Sequence, residues 1–342
     1  MKYIYTRGGI VMGRKLMNVI SIILLIFLAA CTSDETGTEG NKSNNGANKD
    51  GAYDIGVVLM SVNSEYWQMH MAGSYDAAKD FGVNVDVLGP ADETLFEEQV
   101  QIVEDQIASG VDALVVAPSL PEAMLPVLTK ATEKGIPVVL ADADVKEFED
   151  KVTFIGTENY EAGKLAGQYA LENLNIKDGD KIVIIRGQLG AKVHDERTEG
   201  FQDALKDLQL EFIVQDAQSD RVKAVNIMED ILTSNSDIKL VFATSDAMAL
   251  GAYQGLENNG KEDIPLIGFD GTPDGLNAVQ EGKLIANIAQ DPYQMGYMSI
   301  ESAIKAIKGE EVEKRIDSGA EVITKENVKE KIQKVNGYLS RN

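Results

Sequence analysis

The chain holds a single cysteine, Cys31, in 342 residues, so no disulfide can form within it. It holds two histidines, His70 and His194, with no second histidine or thiol at ligand spacing. That leaves no nitrogen and sulfur set for a transition metal. Acidic groupings such as Asp142-Ala143-Asp144 lack the twelve-residue loop, with central Gly and terminal Glu, that calcium needs. No Walker loop, Gly-x-Gly-x-x-Gly fingerprint or Gly-x-Ser-x-Gly elbow occurs. No metal and no cofactor are therefore expected. Positive charge is also scarce: 32 Lys and Arg face 55 Asp and Glu, a net charge of −23. So acidic a surface repels phosphate backbones and anionic headgroups, which argues against nucleic acid as a partner. Solubility alone accounts for the excess acid.

Long apolar runs are missing as well, apart from one. Leu16 to Ala30 carries no charge, follows Arg14-Lys15 and ends at Leu28-Ala29-Ala30-Cys31. At about 15 residues it is shorter than the roughly 20 that span a bilayer. A basic start, a short apolar stretch and small residues before a cleavage point mark an export signal. Leu-Ala-Ala-Cys resembles the lipobox of bacterial lipoproteins, which implies diacylation of Cys31 and a lipid anchor on the outer face of the cell membrane, or in the periplasmic space if an outer membrane is present. Residues 1–30 hold four of the basic groups and no acid, so the remainder has 28 basic against 55 acidic residues. Thr32 to Ala52 has no large apolar residue and reads as a flexible tether. Arg7-Gly8-Gly9 is what a purine-rich ribosome-binding site would encode, which suggests a translation start at Met12.

The remaining 290 or so residues exceed what one core usually serves, so two lobes are expected. Composition is ordinary for a soluble domain, with 44% hydrophobic and 25% charged residues. From Tyr53 onward, short Val- and Ile-rich runs alternate with longer amphipathic stretches. Strands are expected at Ile55–Leu59, Val83–Leu88, Ala113–Ala117, Ile136–Leu140, Lys181–Ile185, Glu211–Gln215, Leu240–Ala243 and Pro265–Gly268. Helices are expected at Phe96–Ala108, Pro121–Lys134, Glu161–Leu174 and Ala224–Leu232, with Gly82, Gly110 and Gly135 placed to stop helices. Strand–helix–strand repeats of this kind form doubly wound α/β lobes, whose ligands lie at the carboxyl ends of the strands. Two such lobes face to face would enclose a cleft.

Four phrases then occur in order: Ser109-Gly110-Val111-Asp112-Ala113-Leu114-Val115-Val116-Ala117-Pro118, Gly135-Ile136-Pro137-Val138-Val139, Asp246-Ala247-Met248-Ala249-Leu250-Gly251, and Gly268-Phe269-Asp270-Gly271-Thr272-Pro273. The last runs on to Asp274-Gly275 and is followed by Gly282-Lys283-Leu284 and Ile288-Ala289-Gln290. From Tyr53 to about residue 320 the chain resembles the ribose-binding type of bacterial solute-binding protein. The resemblance implies the type I periplasmic binding protein fold: two α/β, doubly wound parallel-sheet lobes joined by a three-segment hinge. It divides the chain into a signal peptide (1–30), a tether (31–52), a first lobe (53–156 plus 291–319) and a second lobe (157–290 plus 320–342). It further implies a monomeric receptor that delivers a sugar to a membrane permease of an ABC importer. LacI-type repressors share the fold, but they begin with a DNA-reading helix-turn-helix where this chain has its signal and tether.

A sugar needs carboxylates and amides for its hydroxyls and aromatic rings for its C–H face. Tyr66 and Trp67, after the first strand, match the family's stacking pair; the alternative for Trp67 is to anchor the following helix. Asn63 and Ser64 precede them. Asp142, Asp270 and Gln290 fall where the resemblance implies hydroxyl-binding groups, although an acid after a strand can also cap the next helix. The chain departs from the ribose pattern at Ala143, Asp195, Ser245 and Ser219, where the family has two arginines, an asparagine and an aromatic. Arg197 remains. The cleft is thus expected to hold three or four unpaired carboxylates (Asp142, Asp270, Asp195 and a fourth in Asp144) that repel one another. Relief could come from an amine on the ligand, from Arg197 or Arg186 reaching in, or from Asp195 pointing elsewhere; His194 could also contribute. A pyranose, polyol or amino-sugar is expected in place of ribose. A sensory receptor signalling to a chemoreceptor or histidine kinase is a second possibility, and a glycosidase built on opposed carboxylates a distant third.

Overall fold

The computed structural model describes residues 52–340. The signal stretch and Cys31 lie outside the described residues, as does the tether up to residue 51. In chain order the first elements are β1 (Asp54–Val58), α1 (Glu65–Phe81), β2 (Asn84–Leu88), α2 (Phe96–Ser109), β3 (Ala113–Val116), α3 (Pro121–Glu133), β4 (Val138–Ala141) and β5 (Thr153–Gly156). Next come α4 (Asn159–Asn173), β6 (Lys181–Arg186), α5 (Lys192–Ala204), β7 (Glu211–Asp216), α6 (Arg221–Ser234), β8 (Ile238–Ala243), α7 (Asp246–Asn258), β9 (Leu266–Asp270), α8 (Pro273–Glu281) and β10 (Ala286–Ala289). The chain ends with α9 (Pro292–Ile307), β11 (Arg315–Asp317), β12 (Glu321–Ile323) and α10 (Val328–Leu339).

Two six-stranded sheets result, ordered β11-β5-β4-β3-β1-β2 and β12-β10-β9-β8-β6-β7. Every pairing is parallel except β10 with β12. Both sheets share one doubly wound order, with strand order reversing beside β1 in the first and beside β6 in the second. The reason is visible in the strands themselves: β3, β4 and β9 are buried at every position, as a sheet covered by helices on both faces demands. Apolar clusters flank each sheet on both sides. Three segments pass between the sheets: after β5, after β10, and between β11 and β12. After β10 the chain returns as α9, which packs on α1 and on β3, β4 and β5.

The eight expected strands stand within about two residues of their places. Four others, β5, β10, β11 and β12, were not in that set. They are three or four residues long, and none carries three consecutive Val, Ile or Leu residues as the equally short β3 and β4 do. Gly82, Gly110 and Gly135 adopt φ of 68°, 82° and 81° at helix ends, the left-handed conformation that stops a helix.

Two glycines bring α5 close against α4. A Cβ at Gly163 of α4 would overlap the Arg197 carbonyl, and one at Gly200 of α5 would overlap the Tyr160 carbonyl. This reciprocal glycine contact lets Arg197 reach across to α4. Gly163→Ala should therefore cost about 1–3 kcal/mol of stability through overpacking, measured by urea unfolding, and should weaken ligand binding by displacing Arg197.

Candidate functional site

The carboxyl ends of both sheets converge on one cavity of about 290 Å³, at the lower end of the size usual for small-molecule sites. The first lobe contributes Asn63, Ser64, Glu65, Tyr66 and Trp67 from the start of α1, Glu93 from the loop after β2, and Asp142 after β4. The second contributes His194 and Arg197 from α5, Ser219 and Arg221 after β7, Ser245 after β8, and Asp270, Thr272 and Asp274 at the β9–α8 junction.

Asp142 and Asp270 hold the two sides. Each is a non-glycine residue at the end of a central strand with positive φ, 62° and 112° respectively. Such backbone strain costs on the order of 1–3 kcal/mol and concentrates at functional sites. Here it turns each carboxylate off its strand end. The Tyr66 hydroxyl donates to Asp142 Oδ1. Asp270 Oδ1 accepts from Gln290 Nε2 at 2.8 Å and from Arg197 Nη1 at 3.3 Å.

Arg197 is buried, and the Nε and Nη1 of its guanidinium fix the second lobe. Nε donates to Asn159 Oδ1 on α4 at 2.8 Å, and Nη1 to the Thr244 carbonyl at 2.9 Å. The group lies 4.0 Å over the Phe269 ring. One planar cation thereby ties α4, β8 and β9 together while facing the cavity.

Trp67 lines the cavity yet is only 1% exposed. It meets Tyr66 edge-to-face at 5.0 Å, and its Nε1 donates to Glu93 Oε1 at 3.0 Å. It anchors α1 and presents an edge to the cavity at the same time. Ser64 caps α1 by accepting from Trp67 N at 3.4 Å, and Asn63 Nδ2 donates to the Ala91 carbonyl at 3.2 Å.

Burial raises the pKa of Asp142, opposed by the positive charge of Arg197 and by the Tyr66 hydrogen bond. Asp270 is pushed well up by burial, against the pull of Arg197 and with the added push of Asp246. Burial also raises Glu93, against hydrogen bonds from Trp67 and from Ser219 of the other lobe. His194 is driven well down by burial and by the nearby Arg197 and Arg186, so it is neutral; its Nδ1 is 2.9 Å from Thr244 Oγ1 and its Nε2 3.2 Å from Ser219 Oγ.

Two residues expected at the ligand stand elsewhere. Asp195 does not line the cavity, because α5 turns it toward Arg186, with which it forms an ion pair. Gln290 sits behind Asp270 and orients that carboxylate. Asp144 is likewise withdrawn, 2.9 Å from Arg315 and 3.2 Å from Lys151. The expected crowd of unpaired acids is thus reduced: Asp195 and Asp144 have their own cations, and Asp270 has Arg197. Asn63, Ser64, Tyr66, Trp67, Asp142, Arg197, Ser245 and Asp270 are brought together at the cavity. Glu93 is an addition from the structure; in sequence it reads as a loop acid within Pro-Ala-Asp-Glu-Thr, with nothing to mark it. Arg221 and Asp274 open the first turns of α6 and α8, a position that could have flagged them.

Asp246 is not a cavity group. Its Oδ2 accepts from Thr272 N and Oγ1, both at 2.9 Å, and Asn287 Nδ2 donates to its Oδ1, so it pins the β9–α8 turn. Burial nevertheless lifts it to about 7. A raised carboxyl binds its proton more tightly in the folded state, so its contribution to stability is full below about 4 and falls as pH climbs through the folded value. His70, lowered to about 4, and His194 act oppositely: their unfolded imidazoles are half protonated at about 6.5, so they add stability as pH rises from there and offset part of the loss at the acids. The difference in urea midpoint between the free protein and D246N cancels the histidines, and the parent's advantage should be smaller at pH 8 than at pH 6.5. A difference that stays flat across that window would contradict this assignment.

Residues 55–311 match the periplasmic binding protein domain model. Among curated proteins, the ribose import binding protein RbsB of Escherichia coli is 33% identical over 273 residues, spanning 80% of this chain and 90% of that protein. An ABC transporter solute-binding protein from Agrobacterium vitis, solved with bound D-fucose, matches at TM-score 0.77 and 33% identity over 80% of this chain and 96% of its own. A carbohydrate transporter solute-binding protein from Agrobacterium radiobacter, in complex with D-arabinose, matches at TM-score 0.78 and 32% identity over 83% and 98%. The chain belongs to the periplasmic binding protein family and has its type I, two-lobed fold. It is a binding protein rather than an enzyme, of the kind that serves as the solute-binding component of ABC transporters.

Proposed function

We propose that this protein captures a monosaccharide, or a related polyol or amino-sugar, between its lobes and delivers it to a membrane permease of an ABC importer. The observation that carries the reading is the convergence of Asp142 and Asp270, from opposite sheets, on a small cavity that Arg197 also faces. Carboxylates that accept and a guanidinium that donates suit hydroxyls, which do both. The relatives described as binding ribose, D-fucose and D-arabinose support the same class.

Contacts between the lobes explain how binding becomes a signal. Glu65 accepts from the Asp274 amide at 3.1 Å, and Lys146 pairs with Glu196 at 3.2 Å. A ligand that touches both walls stabilises this arrangement over one with the lobes apart, and that difference drives closure. A permease then reads the closed shape. A thermal-shift screen of the full chain against pentoses, hexoses, polyols and amino-sugars tests the proposal, because a bound ligand raises apparent stability by mass action. A shift with at least one of them is expected, and none with any would contradict it.

The lipid anchor on Cys31 belongs to the same proposal, resting on Leu28-Ala29-Ala30-Cys31. C31S should move the protein from the membrane fraction to the soluble fraction of producing cells. Unchanged membrane association would contradict acylation at this residue.

A further inference from the structure

The cavity is electrically lopsided. Five carboxylates line it (Glu65, Glu93, Asp142, Asp270 and Asp274) against two guanidiniums, Arg197 and Arg221. Both cations belong to the second lobe and already have acids there. Arg197 is 3.3 Å from Asp270, and Arg221 is 3.8 Å from Asp274 at the exposed mouth. His194, the remaining basic side chain, is neutral.

The first-lobe wall is of another kind. Among the described residues, no ion pair within 4.0 Å reaches Asp142, Glu93 or Glu65. Asp142 has the Tyr66 hydroxyl, and Glu93 has the Trp67 indole N–H and the Ser219 hydroxyl of the other lobe. These are neutral donors, consumed by the acids they serve. Around Asp142 and Glu93 the wall therefore offers negative charge and free lone pairs, opposed only by the more distant charge of Arg197. The charge of Asp142 also adds to the cost that burial imposes on Glu93. Across the cavity stands Ser245, whose buried hydroxyl has no hydrogen-bond partner.

We propose that the ligand is a small polyhydroxylated amine, its protonated nitrogen seated against the wall formed by Asp142 and Glu93 and its oxygens turned toward Arg197 and Ser245. This rests on the solute-binding function proposed for the same cavity and narrows its ligand class. Hydroxyls alone supply donors to that wall but leave it without a contacting cation in a partly closed site, where unpaired buried charge is costly. An ammonium supplies up to three donors and the opposite charge at once. It discriminates by what it lacks, since a neutral analogue leaves the two acids unpaired.

The test is calorimetric titration of the full chain, solubilised in detergent, with matched pairs: D-glucosamine against D-glucose, D-galactosamine against D-galactose, and N-acetyl-D-glucosamine as a neutral amide control. In at least one pair the amine should bind tenfold or more tightly than its hydroxyl counterpart, and E93Q should narrow that gap at least fivefold. Equal or tighter binding of the neutral members overturns the amine and leaves the sugar receptor standing. Binding of no member of either pair also overturns it; the receptor reading is then judged separately by the thermal-shift screen with D-ribose, D-arabinose and D-fucose. The wild-type pairs decide the matter even if E93Q does not fold.

Discussion

R197M should abolish ligand binding to within detection, a loss of at least 100-fold, and lower folding stability by about 3–5 kcal/mol. Methionine keeps much of the apolar stem packed over Phe269, so the loss isolates the guanidinium. That group is 3% exposed and serves three partners: Asn159 Oδ1, the Thr244 carbonyl and Asp270 Oδ1. Removing it strands Asp270 beside Asp246 without a cation, and breaking a buried pair on one side is far more damaging than never having had it. An exposed pair gives the contrast: Lys130 and Glu104, 2.9 Å apart on the surface, should change stability by no more than about 1 kcal/mol when separated. Urea unfolding and titration with the best-shifting sugar measure both effects. Binding that survives R197M would mean that Arg197 is a brace for the second lobe and nothing more.

D142N should weaken binding by about 10- to 100-fold, the value of a charge-assisted hydrogen bond of about 1.5–3 kcal/mol. The free protein should be as stable as the parent or slightly more so. Asparagine tolerates the left-handed backbone that Asp142 adopts at φ 62°, and its amide oxygen can still accept from Tyr66. The substitution removes a carboxylate whose burial already disfavours its charge. Lost stability with intact binding would recast Asp142 as a clamp for Tyr66.

The strands that carry the two lobes were legible because each is a short Val- and Ile-rich run ended by Gly, Pro or Asp, as at Ala113–Val116 and Val138–Ala141. The four strands not anticipated fall at the crossings and sheet edges. There, three residues such as Arg315–Asp317 are held by a neighbouring strand rather than by their own pattern. Asp142 and Asp270 could be located because they follow central strands. The direction of a side chain on a helix could not. Asp195 and Arg197 are two residues apart on α5, yet one turns to Arg186 and the other into the cavity. Glu93 was invisible for a similar reason: Trp67 meets it only once the first lobe has folded, and Ser219 only once the two lobes come together.

The central claim is that a small ligand draws two hinged lobes onto itself. Small-angle neutron scattering of the full chain, in contrast-matched detergent and titrated with the sugar giving the largest thermal shift, tests it most directly. The radius of gyration should fall as the sites fill and level off at the stoichiometric point. A ligand that saturates by calorimetry while the scattering curve stays unchanged would contradict the account.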